Sequence, residues 1–293
     1  MSEKNRRGRP RKHSAPRTHR PTTSGESSEC LNIHHTNSSF FKSIFTYFKG
    51  MKGDEIHIRY CKSELHFFAF DHSKKSRIAI SVKIDKLTSY HCINNQPEII
   101  CLARPFLDKM VSAIDHHFTS IYMIRKTTSK QYLEFVFVND AVDKQCNYRV
   151  ELITATPVPD LYAVCSYLDE EVLKKEYLFC FTLPAKYFKR SIADIGNYSD
   201  EMRIELDPNG VLNFSFANNT IIYDEYYLNS SKIKLTLFRT DEEMYFCTVN
   251  INNIKTVSAS IVTENITIYC REALNILFRY DSDMMAICCL TDL

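Results

Sequence analysis

EIHIRYCKSELHFFAF, Glu55 to Phe70, returns as EMRIELDPNGVLNFSF, Glu201 to Phe216, at a spacing of 201 − 55 = 146 residues. Each copy alternates apolar and polar residues on both sides of a short polar break, the pattern of two strands joined by a turn. On one side of it, FFKSIFTYFK (Phe40 to Lys49) is echoed by YFKRSIADIG (Tyr187 to Gly196), with Phe41 and Phe188 separated by 188 − 41 = 147. On the other side, KMVSAI (Lys109 to Ile114) is echoed by KTVSASI (Lys255 to Ile261), the lysines 255 − 109 = 146 apart. Three echoes in one order at nearly one spacing define a duplicated unit of helix, strands, helix, strands. Solenoid repeats are far shorter.

The chain has 293 residues, 44% hydrophobic and 25% charged, which suits two soluble globular domains. No apolar run reaches the ~20 residues that cross a bilayer, and the basic start lacks an apolar signal region. The expectation is a chain neither secreted nor membrane-spanning. Its 11 cysteines read as reduced, packed thiols, and no CxxC pair gives zinc spacing. Residues 1–30 carry eight Lys or Arg against three Glu, +5, so the body carries −3 of the chain's +2. A basic arm on a slightly acidic body points to nucleic acid at the arm, not over the whole surface.

Residues 1–36, rich in Arg, Pro, Ser and Thr, are predicted to be disordered. The first domain is expected over 37–152 and the second over 177–293. Between them, Pro157 and Pro159 make the first half of the connector 153–176 extended. Mostly β structure is expected, with strands such as Tyr132 to Val138 and Thr220 to Tyr226. Asn209-Gly210 would supply positive φ angles to the hairpin turn of Asp207 to Gly210.

Four helices are predicted: Ser38–Lys49, Pro105–His116, Pro184–Gly196 and Ile251–Val262. On a wheel of ~100° per residue each has an apolar face. Their outer faces hold Lys42 and Lys49; Lys109 and His116; Lys186, Lys189 and Arg190; and Lys255. These faces are nearly free of carboxylates. Lysines outside an amphipathic helix are ordinary, but a solvated face normally mixes both signs. Four such faces in two units fit phosphate contact without base readout.

At these residues the chain resembles the PCNA sliding clamps, most closely the PCNA-like clamps of African swine fever virus and related giant DNA viruses. The resemblance shows in TYFKGMK (Thr46 to Lys52), DKQCNY (Asp143 to Tyr148), SSKIKLT (Ser230 to Thr236) and NIKTVSASIVTENITIYC (Asn253 to Cys270). It implies an α+β DNA clamp fold, two similar domains each packing two helices on β-sheets, and a homotrimeric ring around double-stranded DNA. Lys42, Lys49, Lys109, His116, Lys186, Lys189, Arg190 and Lys255 would face the duplex. A subunit contact would join Tyr132, Leu133, Phe135 and Val136 to Ile221, Ile222 and Tyr223 of the next copy. The connector would cover a partner pocket lined by Phe70, Leu161, Asn275 and Leu290, serving a viral DNA polymerase and other clamp-binding proteins. The implied role is a processivity factor at a viral replication site, in a cytoplasmic factory or the nucleus, with no catalytic residue, cofactor or metal. Typical clamps end their partner-binding segment in Ala-Pro; here the chain reads Leu290-Thr291-Asp292-Leu293.

In the arm, Arg7-Gly8-Arg9-Pro10, followed by Arg11 and Lys12, resembles an AT-hook core. Gly8 and Pro10 keep the backbone thin and extended, so the arginines can lie in a narrow A·T minor groove. An import signal or a generic polycationic arm is the alternative. A non-ring protein that binds DNA only through this arm is the rival to the clamp. No GxGxxG or GxxxxGK[ST] loop occurs. The pairs His34-His35 and His116-His117 lack ligand spacing, and Asp169-Glu170-Glu171 reads as solvated linker.

Overall fold

The computed structural model describes residues 29–292 except 50, 52, 115–116, 158–161, 163, 165, 167–168, 239–244, 259–260, 262, 272–274 and 282–284. The arm residues Arg7 to Lys12, and also His116 and Leu161, lie outside the described residues.

The first half runs β1 (Glu29–His35), α1 (Ser38–Phe48), β2 (Glu55–Cys61), β3 (Glu64–Phe70), β4 (Ser76–Val82), β5 (Ser89–Cys92), β6 (Glu98–Ala103), α2 (Arg104–Ala113), β7 (Ser120–Lys126), β8 (Tyr132–Asn139) and β9 (Lys144–Ile153). A short helix, α3 (Glu170–Glu176), follows in the connector. The second half repeats the first element for element: β10 (Phe179–Pro184), α4 (Ala185–Ile195), β11 (Glu201–Leu206), β12 (Val211–Ala217), β13 (Ile222–Leu228), β14 (Lys234–Leu237), β15 (Tyr245–Asn250), α5 (Ile251–Ser258), β16 (Asn265–Cys270), β17 (Asn275–Asp281) and β18 (Met285–Asp292).

Pairing repeats with order. In the first half β5-β1-β7-β8-β9 form one antiparallel run and β6-β2-β3-β4 another; in the second, β14-β10-β16-β17-β18 and β15-β11-β12-β13 do the same. The halves meet where β18 pairs with β4, from Met285↔Val82 to Thr291↔Ser76. Strand alternation and the helical apolar stripe send Phe41, Phe45, Phe48, Phe67 and Phe135 of the first half, and Phe181, Phe188 and Phe214 of the second, inward to full burial. Phe45 meets Phe67 and Phe135 edge-on at 6.0 and 6.2 Å, the offset geometry aromatic quadrupoles prefer. The buried Arg125 guanidinium bonds the Tyr60 hydroxyl and the Glu98 carboxylate, linking β7 to β2 and β6.

Four expectations change here. Residues 29–35, assigned to the disordered arm, are a strand: Leu31 and Ile33 are fully buried where β1 lies between β5 and β7. A helix stands at the end of the connector, N-capped by Asp169, whose side chain accepts from Glu171 N at 2.9 Å, with Lys174 and Lys175 in its last turn. The run read as solvated linker is therefore a helix start. In the β11–β12 turn only Gly210 takes a positive φ, +79°; Asn209 does not. Pro208 and the bond from Val211 N to Asp207 Oδ1 at 2.7 Å set the rest of that turn. Finally, β8 is an interior strand, paired to β9 along its length and to β7 from Glu134 to Val138.

Burial holds the imidazoles of His34 and His66 below their ordinary value of 6.5, in His66 against the attraction of Glu64. The unfolded chain thus takes up protons first, so stability is full above about pH 6.5 and falls as pH drops through it. Thermal unfolding should show a lower Tm at about pH 5.5 than at about pH 7. A Tm unchanged over that interval would contradict the assignment.

Candidate subunit and nucleic-acid interfaces

The β4–β18 junction has a counterpart with nothing on it. By order and pairing, β13 is the second-half equivalent of β4, and β9 the first-half equivalent of β18. Register fixes the correspondence: Phe67 opposes Ile80 on β4, and Phe214 opposes Glu225 on β13. Ile78, Ile80 and Val82 are at most 4% exposed beside β18, whereas their counterparts Tyr223, Glu225 and Tyr227 are only half-buried. The opposite face of β13 is open, with Ile222 78%, Tyr226 63% and Leu228 65% exposed around a single carboxylate, Asp224. Among the described residues β13 pairs only with β12, and β9 pairs with β8 and, at Leu152 and Ile153, with β6. Beside β9 a cavity of about 510 Å³ is lined by Phe106, Lys109, Tyr132, Tyr148, Arg149 and Ile153. Unpaired sheet edges such as these are templates for pairing with another strand.

This corrects the expected contact. Tyr132, Leu133, Phe135 and Val136 sit on β8, whose backbone is engaged on both sides; Leu133 and Phe135 are fully buried. Of these four only Tyr132 reaches the β9 cavity. Ile222 and Tyr223 do lie on an edge strand, with Ile221 just before it.

The helix faces are partly as read. Lys42, Lys49, Lys109, Lys186, Lys189, Arg190 and Lys255 are all exposed. Three of them also brace the fold. Lys42 Nζ donates to Ile114 O at 3.0 Å, and Lys189 Nζ to Ile261 O at 2.6 Å, the same bond 147 residues later. Lys255 Nζ donates to Gly196 O at 3.3 Å. Each cation meets a carbonyl at or just beyond the end of a neighbouring helix, where the dipole favours positive charge. Arg190 pairs with Asp194 at 3.4 Å on the surface, and Lys186 lies over the Tyr187 ring at 5.2 Å. Asp108 and Asp194 are the carboxylates these faces do carry; Arg104 answers the first at 3.4 Å while donating to Gly53 O and Lys49 O, each at 3.1 Å. Lys186 also shares a cavity of about 590 Å³ with Lys232 and Lys234, two cations that a helical wheel has no means of placing.

Of the expected partner pocket, Phe70 is buried with Phe68, Val164, Leu173, Tyr177 and Leu277, so connector residues do cover it. Asn275 and Leu290 are placed by backbone register alone, opposite Asp292 and Leu277. A polar cluster lies under the same connector. Glu55 and His57 share a face of β2, and Cys101 is His57's partner across on β6. His57 Nε2 meets Glu55 Oε2 at 3.1 Å and Cys101 Sγ meets that oxygen at 3.5 Å. Tyr162 Oη lies 3.0 Å from His57 Nδ1, and Thr156 donates to Glu55 from its backbone N at 3.0 Å and from its hydroxyl. Burial works to raise the Glu55 carboxyl, but the bonds from Thr156 and then His57 and Cys101 outweigh it and hold it low. Burial, reinforced by Glu55, pushes the Cys101 thiol up to about 12.

These features define a mixed α/β chain with the PCNA clamp fold. PCNA of Entamoeba histolytica superposes with a TM-score of 0.69 over 90% of this chain and 98% of its own, at 10% identity, a likeness of fold. In sequence, the chain is 28% identical over 263 residues to proteins of African swine fever virus described only as uncharacterized, from a Malawi tick isolate and a Kenyan pig isolate. Those alignments cover 89% of this chain and 86% of each relative. No protein-family model matches.

Proposed function

We propose that this chain is a sliding clamp: copies join head to tail, β9 of each against β13 of the next, into a ring of three that encircles duplex DNA and tethers a viral DNA polymerase. The observation that carries the reading is the pair of vacant edges, equivalent by fold to the filled β4–β18 junction. Extending that junction between copies pairs the amides of both edges and covers Ile222, Tyr226 and Leu228. The ring would turn its exposed lysines toward the phosphates and hold DNA by closure, which explains a net charge of only +2. It makes and breaks no covalent bond. The connector over Phe70 is where a partner's hydrophobic anchor would enter. The arm, with its Arg7-Gly8-Arg9-Pro10 core, would add minor-groove contacts before closure. A viral replication site, in a cytoplasmic factory or the nucleus, is its proposed setting.

Retention on circular DNA tests topology directly. Assembled protein on a nicked circle should survive a high-salt wash and be released when the circle is cut once, away from bound protein. Release by salt alone, from circle and linear DNA alike, would reject encirclement. The same assay on a chain lacking residues 1–28 separates the rival: an arm-only binder loses all binding, whereas a ring keeps its dependence on circularity.

A further inference from the structure

We propose that Glu55, His57 and Cys101 form a zinc site that fastens the connector to the first half of the chain. The three residues come from adjacent strands, and their ligand atoms all lie within 4.8 Å of one another. His57 is 1% and Cys101 2% exposed, so the donors face a shielded space rather than open solvent. With metal–ligand bonds of about 2.0–2.3 Å, a tetrahedral ion sets its ligands roughly 3.3–3.7 Å apart. The Glu55–His57 and Glu55–Cys101 separations of 3.1 and 3.5 Å are within a few tenths of an ångström of that edge. One thiolate, one imidazole and one carboxylate suit zinc, leaving its fourth position to water.

The second layer is also in place. Ligating imidazoles usually donate their other N–H to a fixed acceptor, and Tyr162 Oη stands at Nδ1. Ligating carboxylates are usually held by hydrogen bonds, and Thr156 supplies two. On binding, the Cys101 thiol loses its proton to solvent while the His57 proton moves from Nε2 to Nδ1, where it donates to Tyr162. Zinc's two positive charges then meet one thiolate and one carboxylate, and the buried centre is neutral. A bare Glu55 carboxylate in the same place is charged. Tyr162 and Thr156 belong to the connector, so the ion sets how firmly that segment lies on the sheet. The inference stands apart from the ring: neither edge strand takes part.

The test uses the full chain, stripped with a chelator and titrated with zinc by calorimetry, with cobalt absorption as a second probe. Expected are one ion per chain, a thiolate-to-cobalt charge-transfer band, and faster protease cleavage between residues 154 and 170 after stripping. Cys101→Ser should abolish the band, and His57→Gln should weaken zinc by at least ~10–100-fold. Deleting residues 1–28 should change nothing, which excludes His13 and His19 as the ligands. Absence of stoichiometric uptake, or a band surviving Cys101→Ser, would overturn the site. Should that variant misfold, zinc-edge X-ray absorption on the unaltered chain decides. One sulfur among nitrogen and oxygen ligands supports the site, and a shell with no sulfur or several rejects it.

Discussion

The triple substitution Ile222→Asp, Tyr226→Asp, Leu228→Asp should leave a folded monomer under conditions where the proposed ring gives trimers for the unaltered chain. All three side chains are already in water in the single chain, at 78%, 63% and 65% exposure, so replacing them costs the fold little. The junction suffers much more. Covering a large apolar side chain contributes about 1.5–3 kcal/mol, so the three together contribute on the order of 5 kcal/mol per junction. That is more than ~10³-fold in the association constant, before the cost of placing carboxylates beside a paired strand. Light scattering gives the mass and circular dichroism the fold. Trimers at micromolar concentration with this variant would remove β13 from the junction and the ring with it.

If the helix faces meet DNA as proposed, replacing Lys109, Lys186 and Arg190 with alanine should weaken binding to duplex DNA without changing assembly. Among the described residues no helix-end carbonyl receives these three cations, unlike Lys42, Lys189 and Lys255. Each phosphate left without its cation lowers the slope of log affinity against log salt by about 0.9, so the triple variant should flatten the dependence by one to a few such steps. Lys189→Ala makes the contrast: it uncovers the Ile261 carbonyl and should lower Tm as well as affinity. An unaltered salt slope in the triple variant would place those faces away from DNA.

The duplication was legible because α1, α4 and the β11–β12 hairpin bury one regular face each, and the β2–β3 hairpin repeats that inward face although its other face is buried too. Two strands were hidden for opposite reasons. β1 lies between two others yet contributes only Leu31 and Ile33 as large inward residues, beside a long polar arm. β9 is polar because it is an edge: of Lys144 to Arg149 all but Cys146 are exposed. The subunit contact at Tyr132 to Val136 was implied by the clamp resemblance, by position, but that strand has a neighbour on each side. Apolar residues on both faces mark a strand with neighbours on both sides, whereas β9, the edge proposed to accept a partner, carries the charges. Asp169 and the acids after it, with Lys174 and Lys175 beyond, were a readable helix signature that the two nearby prolines obscured. The Glu55-His57-Cys101 cluster had no signal at all in linear spacing, since cross-strand register brings Cys101 to His57 from 44 residues away (101 − 57). Register across a sheet is tertiary information.

The filled junction between β4 and β18 has one property its vacant counterpart lacks: both strands belong to a single polypeptide. In a closed annulus the seams would alternate, three stitched by covalent continuity and three held by affinity alone. Dilution, denaturant or a mechanical wedge acts first on the unstitched ones, because a tethered strand rebinds before it can diffuse away. In the proposed ring the gate for admitting DNA would therefore be β9 against β13, and one seam of that kind, opened once, would suffice.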